Sequence, residues 1–195
     1  MQERYGNRGD VIVLALPRGG VPVGYELARA LGATLDVFVV RKLGVPNQPE
    51  LAMGAIASSG ARVFNDDVVR YSGVTPEQIE AVIERERAEL ERRERLYRGE
   101  RPWPELRDQI VVIADDGLAT GATMRAAIEA VRQFEPLWIA AAVPVAAPET
   151  AAVIAGLVDD LICPLQPTPF QAVGIWYRDF SPTTDDEVRE ILSRA

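Results

Sequence analysis

Five short apolar runs separated by helix-patterned segments restrict this chain more than anything else in it. "DVIVLAL" (Asp10 to Leu16) is β-branched and apolar without alternation, the pattern of a strand buried on both faces. "TLDVFVV" repeats that texture, and "QIVVIA", "PLWIAAAVPV" and "DDLICPL" follow later in the chain. Between them "YELARALG", ending at Gly32, "GATMRAAIEAVRQF" and "PETAAVIAGL" carry helical spacing. Strands alternating with helices in this way predict an α/β fold, a parallel sheet joined by right-handed crossovers. No helix is expected ahead of the first strand.

Two segments depart from the alternation. "AMGAIASSG" and "ARVFNDDVV" flank a small-residue turn and predict an antiparallel hairpin. From Thr75, "TPEQIEAVIERERAELERRERLYRG" opens with a Thr N-cap, Pro at the first helical position and Gln three residues after the cap. Its apolar stripe is narrow (Ile79, Ile83, Leu90, Tyr97), and Glu89/Arg93, Glu91/Arg95 and Glu94/Arg98 are spaced as i,i+4 pairs. That describes a mostly solvated helix packed along one seam, with a lid over a site or a dimer contact as its other uses. The length of 195 residues suits a single domain, 1–195. Its core is expected at about 10–60 and 109–165, the hairpin and charged helix at about 51–108, and a tail at about 166–195 that closes with a short helix.

Composition removes several chemistries. There is no histidine, so a His-based triad and His metal sites are excluded, and the single cysteine, Cys163, reads as a small buried hydrophobe. A net charge of −8 argues against a protein that coats nucleic acid, but not against a small anionic ligand, which local cations and N–H groups decide. Among 21 basic residues only Lys42 is lysine, inside "VVRKLG". The longest apolar stretch is broken by Pro144 and Pro148, and "MQERYGNRGD" lacks a signal-peptide core, so a cytoplasmic protein without a membrane span is expected.

In an open parallel sheet, ligands bind at the carboxyl ends of the strands. Three such ends carry unusual residues: Arg18-Gly19-Gly20, Arg41-Lys42, and Asp115-Asp116 followed by Ala119-Thr120-Gly121-Ala122-Thr123. A glycine and hydroxyl loop running into a helix presents several N–H donors and the positive end of the helix dipole to one point, a phosphate cradle. Carboxylates beside a phosphate would repel it. Asp115 and Asp116 therefore suit a hydroxyl-bearing part of the ligand, such as a ribose. Together the loop describes a ribose 5-phosphate.

"VVIADDGLATGAT" (Val111 to Thr123) resembles, over all thirteen positions, the PRPP-binding signature of type I phosphoribosyltransferases: four apolar residues, two acids, a short spacer, then Thr-Gly-x-Thr. The resemblance implies a Rossmann-like parallel sheet with a small hood subregion and, here, an inserted charged helix. It implies that Asp115 and Asp116 hold the ribose hydroxyls and that Ala119 to Thr123 bind the 5′-phosphate. Arg18, Gly19 and Gly20, with Arg41 and Lys42, would face the pyrophosphate; a surface turn arginine is the plainer reading of Arg18. Asp115, Asp116, Arg18 and Lys42 are the expected catalytic set, and Mg²⁺ would arrive mainly through PRPP, with no dedicated protein ligands.

The implied activity is transfer of a 5-phosphoribosyl group from PRPP to a nitrogenous, purine-like base in nucleotide salvage, with a non-catalytic PRPP sensor as the alternative. Hypoxanthine-guanine enzymes carry an aspartate just before Thr-Gly; Ala119 stands there, as in adenine- or xanthine-type loops. "FQAVGIWYRDF" resembles the C-terminal hood of purine enzymes, which makes Phe170, Val173 and Trp176 stacking candidates, ordinary packing being the alternative for each aromatic. Asp179 is the acceptor for an exocyclic amine. The partners implied are PRPP and a small base, with neither nucleic acid nor membrane, and a homodimer stays open.

Overall fold

The computed structural model describes residues 1–195. Its central sheet holds five parallel strands: β1 (Val11–Ala15), β2 (Thr34–Val37), β6 (Ile110–Ala114), β7 (Trp138–Ala142) and β8 (Asp160–Ile162), in the order β2-β1-β6-β7-β8. A second, antiparallel sheet is formed by β3 (Val40–Val45), β4 (Gln48–Ala57) and β5 (Arg62–Phe64). The helices are α1 (Gln2–Tyr5), α2 (Gly20–Leu31), α3 (Asp66–Ser72), α4 (Pro76–Arg98), α5 (Ala122–Arg132), α6 (Pro148–Ala155) and α7 (Asp185–Ser193). None is long and apolar enough to cross a membrane.

Both faces of the central sheet are covered, which explains why its strands carry no polar alternation. Val13, Ala15, Val112 and Ala114 pack with Val21 and Leu31 of α2, Ile83 of α4 and Val188 of α7. Their neighbours Leu14, Val111 and Ile113 point the other way, onto Met124 and Ile128 of α5 and Ile154 of α6. Each fully buried Val, Leu, Ile or Met side chain among them contributes roughly 1.5–3 kcal/mol.

Three expectations are corrected. "TLDVFVV" is not one strand. Phe38 still donates its N–H to Ala15, but Val39 exchanges bonds in both directions with the buried Ser58: its N–H goes to Ser58 Oγ and its carbonyl accepts from the Ser58 N–H (2.9 Å each). There the chain leaves the central sheet, so Arg41 and Lys42 lie within β3 rather than beyond a central strand. A short helix, α1, precedes β1, fastened by Tyr5 Oη donating to Asp160 Oδ2 (2.6 Å). Cys163 is partly exposed, its thiol 3.3 Å from the Leu165 carbonyl.

Helix α4 begins as predicted, with Thr75 and Gln78 forming a reciprocal capping box. It packs on β3, β4 and α7, with Ile83, Leu90 and Tyr97 buried. The Glu89–Arg93 and Glu91–Arg95 pairs form at 2.7 and 3.8 Å, but Glu94–Arg98 does not. Arg98 turns inward to a bidentate pair with Asp36 of β2 (2.9 and 2.8 Å), lies 3.8 Å above the Trp103 ring, and gives a further bond to the Pro102 carbonyl. Both partners are buried, whereas a helix-surface pair would have been screened by water. Removing one member leaves the other charged and unpaired in the interior. Arg98→Ala should therefore destabilise the protein by about 3–5 kcal/mol in urea unfolding, while Arg95→Ala, at the exposed pair, should shift it by less than about 1 kcal/mol.

Candidate active site

Strand β1 connects through α2 to β2 on one side, while β6 connects through α5 to β7 on the other. The two strands are direct neighbours, in register from Val11↔Ile110 to Ala15↔Ala114. The crevice beyond their carboxyl ends is the topological switch point of the sheet, where ligands of open α/β folds bind. Arg18, Gly19 and Gly20 follow β1, and Asp115 and Asp116 follow β6, so the structure brings two of the three predicted loops together there.

Their contact is intimate. A Cβ at Gly19 would collide with Asp116 Oδ2, and one at Gly20 would lie 2.7 Å from the Ala114 carbonyl oxygen and 2.9 Å from Asp115 Cα. Glycine is required here because the acid turn presses on the loop; Gly19 itself has an ordinary helical φ of −59° and serves as N-cap of α2. The acid turn is tied from the far side as well, the Leu118 N–H reaching the Val145 carbonyl at 2.9 Å. Asp115 Oδ1 accepts the Asp116 N–H at 2.9 Å.

The loop after the acid turn runs into the N-terminus of α5. Gly121 is the N-cap of α5 at φ +70°, a left-handed conformation, and a Cβ there would meet Thr150 Cγ2 at 2.7 Å. Thr150 Oγ1 donates to the Ala119 carbonyl (2.6 Å), and Arg125 Nη2 donates to that of Thr120 (3.2 Å). Asp115, Asp116 and the loop from Ala119 to Thr123 line one cavity of about 310 Å³, roofed by Val173 and Phe180. A second cavity, about 610 Å³, opens between Arg18, Gly19 and Asp116 below and Tyr177, Asp179 and Phe180 above.

The other predicted residues are placed elsewhere. Arg41 is held by Glu86 of α4 (2.6 Å). Lys42, the next residue of a strand and so on its opposite face, lines a different cavity against α5 with Ala122 and Arg125. Of the aromatic candidates, Phe170 and Trp176 line neither cavity at the acid turn. Tyr177 and Phe180, their rings 5.0 Å apart, stand there instead. Tyr177 Oη donates to the Asp116 carbonyl (2.5 Å). The sequence signal for Tyr177 was its chemistry: an apolar body with a polar tip in an aromatic run directed at a polar turn. Also beyond the sequence reading, Asp185 at the start of α7 accepts from Tyr97 Oη (2.6 Å) and lies 3.8 Å from the half-exposed Arg18 guanidinium.

The electrostatics of the turn are strained. Burial, then the neighbouring Asp116 charge, pushes Asp115 from 3.8 up to about 7, and burial also raises Asp116. Burial and the two carboxylates push the Tyr177 phenol up to about 12, so it remains a donor at neutral pH. Paired, enclosed carboxylates with no cation beside them are suited to hydroxyl donors or to a divalent cation, whose hard charge takes oxygen ligands.

An acid pair thus stands at the switch point of the sheet, beside a glycine-capped helix N-terminus. This chain belongs to the phosphoribosyl transferase domain family, whose model matches residues 1–175. It is 49% identical over 185 residues to "Putative phosphoribosyl transferase Rv0571c" of Mycobacterium tuberculosis (strain H37Rv), covering 95% of this chain and 42% of that protein. The chain thus spans about two fifths of the length of the curated relatives it matches. TT1426 from Thermus thermophilus superposes with a TM-score of 0.86 at 40% identity, over 96% of this chain and 89% of that one. AQ2163 from Aquifex aeolicus, at 16% identity and a TM-score of 0.50 over 95% and 67%, shares the fold alone.

The raised Asp115 value fixes a pH dependence. The folded state holds this proton more tightly than the unfolded chain, so the contribution to stability is full below about pH 4 and is lost as pH rises through about 7. Asp115→Asn should therefore be more stable than the parent at pH 8 by about 2–4 kcal/mol. Thermal unfolding should show that difference shrinking toward pH 4; a difference growing toward acid would refute the assignment.

Proposed function

We propose that this domain transfers the 5-phosphoribosyl group of PRPP to a nitrogenous, purine-like base with release of pyrophosphate. The observation that carries this reading is the acid turn, where Asp116 lines two adjoining cavities, one shared with the Arg18-Gly19 loop and the other with Asp115 and the N-terminus of α5. In this reading the Ala119–Thr123 loop takes the 5′-phosphate through N–H groups, the Thr120 and Thr123 hydroxyls and the α5 dipole. Asp115 and Asp116 accept the ribose O–H bonds. Arg18, with the backbone of Gly19 and Gly20, faces the pyrophosphate.

The C1–oxygen bond to pyrophosphate breaks, its electron pair leaving with pyrophosphate, as the bond from C1 to the base nitrogen forms; the proton of that nitrogen passes to pyrophosphate or solvent, and positive charge develops on the sugar in the transition state. Two preorganised carboxylates under the ring stabilise that charge, so catalysis is positioning and electrostatics rather than covalent chemistry. Mg²⁺ carried by PRPP would offset the charge of the leaving group, and the acid pair is a fitting neighbour for it. Val173, Phe180 and Asp179 line the cavities at the turn and are assigned to the base. Arg41 is engaged by Glu86, and Lys42 faces the cavity along α5, so Arg18 is the cation assigned to pyrophosphate in this conformation.

Pyrophosphate release across a panel of purines, pyrimidines and orotate, with PRPP and Mg²⁺, tests the activity directly. PRPP bound without turnover would leave a sensor; no PRPP binding would end the proposal. In the double variant Asp115→Asn/Asp116→Asn, PRPP affinity measured by calorimetry should fall at least about tenfold, since bonds to charged groups are lost. Its cooperative unfolding should persist, and unchanged PRPP affinity would sink the assignment.

A further inference from the structure

The hood segment touches the acid turn at two points and covers the loop cavity at a third. Val173 packs against Gly117, where a Cβ would come within 2.6 Å of Val173 Cγ1. Phe180 lies over the loop cavity and against Gly174. Between these apolar contacts, Tyr177 Oη reaches the Asp116 carbonyl at 2.5 Å. The last contact differs in kind, because it is directional and falls on the backbone of a residue whose side chain abuts Gly19.

From this juxtaposition we propose that Tyr177 is a positioning residue: its hydroxyl fixes the Asp116 peptide and thereby aims the Asp116 carboxylate at the ribose. The inference rests on the phosphoribosyl-transfer reading above. The carbonyl held by Tyr177 and the carboxylate pressed on Gly19 belong to one residue, and the peptide that carries this carbonyl also carries the Gly117 N–H, which acts on the same carboxylate. With the carbonyl held, the peptide that follows Asp116 keeps one orientation, and the carboxylate stays beside the Arg18-Gly19 loop. With it free, the acid turn can rotate, and the carboxylate spends part of its time away from the sugar. Tyr177 acts through Asp116 and needs no contact with the reacting atoms. The hydroxyl is also the one part of this hood side chain that a phenylalanine would lack, which separates positioning from wall-building by the ring.

Tyr177→Phe keeps the ring and removes only the hydroxyl. Calorimetric titrations of PRPP, ribose 5-phosphate and pyrophosphate, each with Mg²⁺, should be run on parent and variant, alongside thermal unfolding. The expected result is a roughly three- to tenfold weaker affinity for PRPP and ribose 5-phosphate, the loss of one hydrogen bond, with pyrophosphate affinity within about twofold of the parent. Equal weakening of all three ligands, or loss of the cooperative melting transition, would make the hydroxyl a general structural group and overturn the inference. Unchanged ribose 5-phosphate binding would overturn it as well. If the parent itself binds none of the three ligands, the phosphoribosyl reading fails first and takes this inference with it; a parent that binds and a variant that binds equally well condemn the inference alone.

Discussion

The close approach of Gly19 to Asp116 is the contact on which the arrangement of this domain depends. Parallel pairing of β1 and β6 brings both chain ends out of the sheet side by side, and only a residue without Cβ permits the two turns to meet. The meeting places the start of α2 against the acid pair. It also fixes where the hood lands, because Val173 and Tyr177 rest on Gly117 and on the Asp116 carbonyl. A side chain at position 19 would separate the turns, and the crevice between them would lose its floor.

A second organising principle is how the chain commits its cations. Nearly all are arginines, and most are spent on carboxylates. Arg98 is withdrawn into the interior by Asp36, and Arg41 is held by Glu86. Arg18 has only the 3.8 Å approach of Asp185, and both members of that pair are well exposed. Exposed pairs of this kind hold weakly. Arg18 is therefore only loosely held where it stands beside the switch point. Helix α4, which supplies Arg98 and Tyr97, braces β2 and α7 and packs on β3.

Much of this was legible in the sequence, for definite reasons. Strands buried on both faces announce themselves by unbroken β-branched runs, and a capping box such as Thr75–Gln78 is local by construction. The acid turn and Gly121 were legible because a charge pair at a strand end is costly without a ligand, and a left-handed helix start selects glycine. What failed to show was long-range. Nothing near Arg98 indicates that Asp36, sixty-two positions away, outcompetes Glu94 at i−4. Likewise the break in "TLDVFVV" depends on Ser58 reaching back to Val39, a partner that periodicity does not encode. Aromatic content alone likewise does not reveal that Tyr177 and Phe180, rather than Phe170 and Trp176, line the cavities at the turn.

The energetics of Asp115 bear on why the turn exists at all. The bond from the Asp116 N–H needs only an oxygen acceptor, and an asparagine would provide one without a charge to bury. The chain instead keeps a carboxyl that burial and its neighbour lift to about 7, a state that costs stability at neutral pH. Local strain of this sort persists where the surroundings over-determine it and a ligand relieves it. Here the β1–β6 register, the Gly19 contact and the Tyr177 clasp impose the geometry, while hydroxyl donors or a cation entering the crevice would satisfy the charge. The feature least favourable to the unliganded fold is thus the one that hydroxyl donors or a cation would relieve most directly.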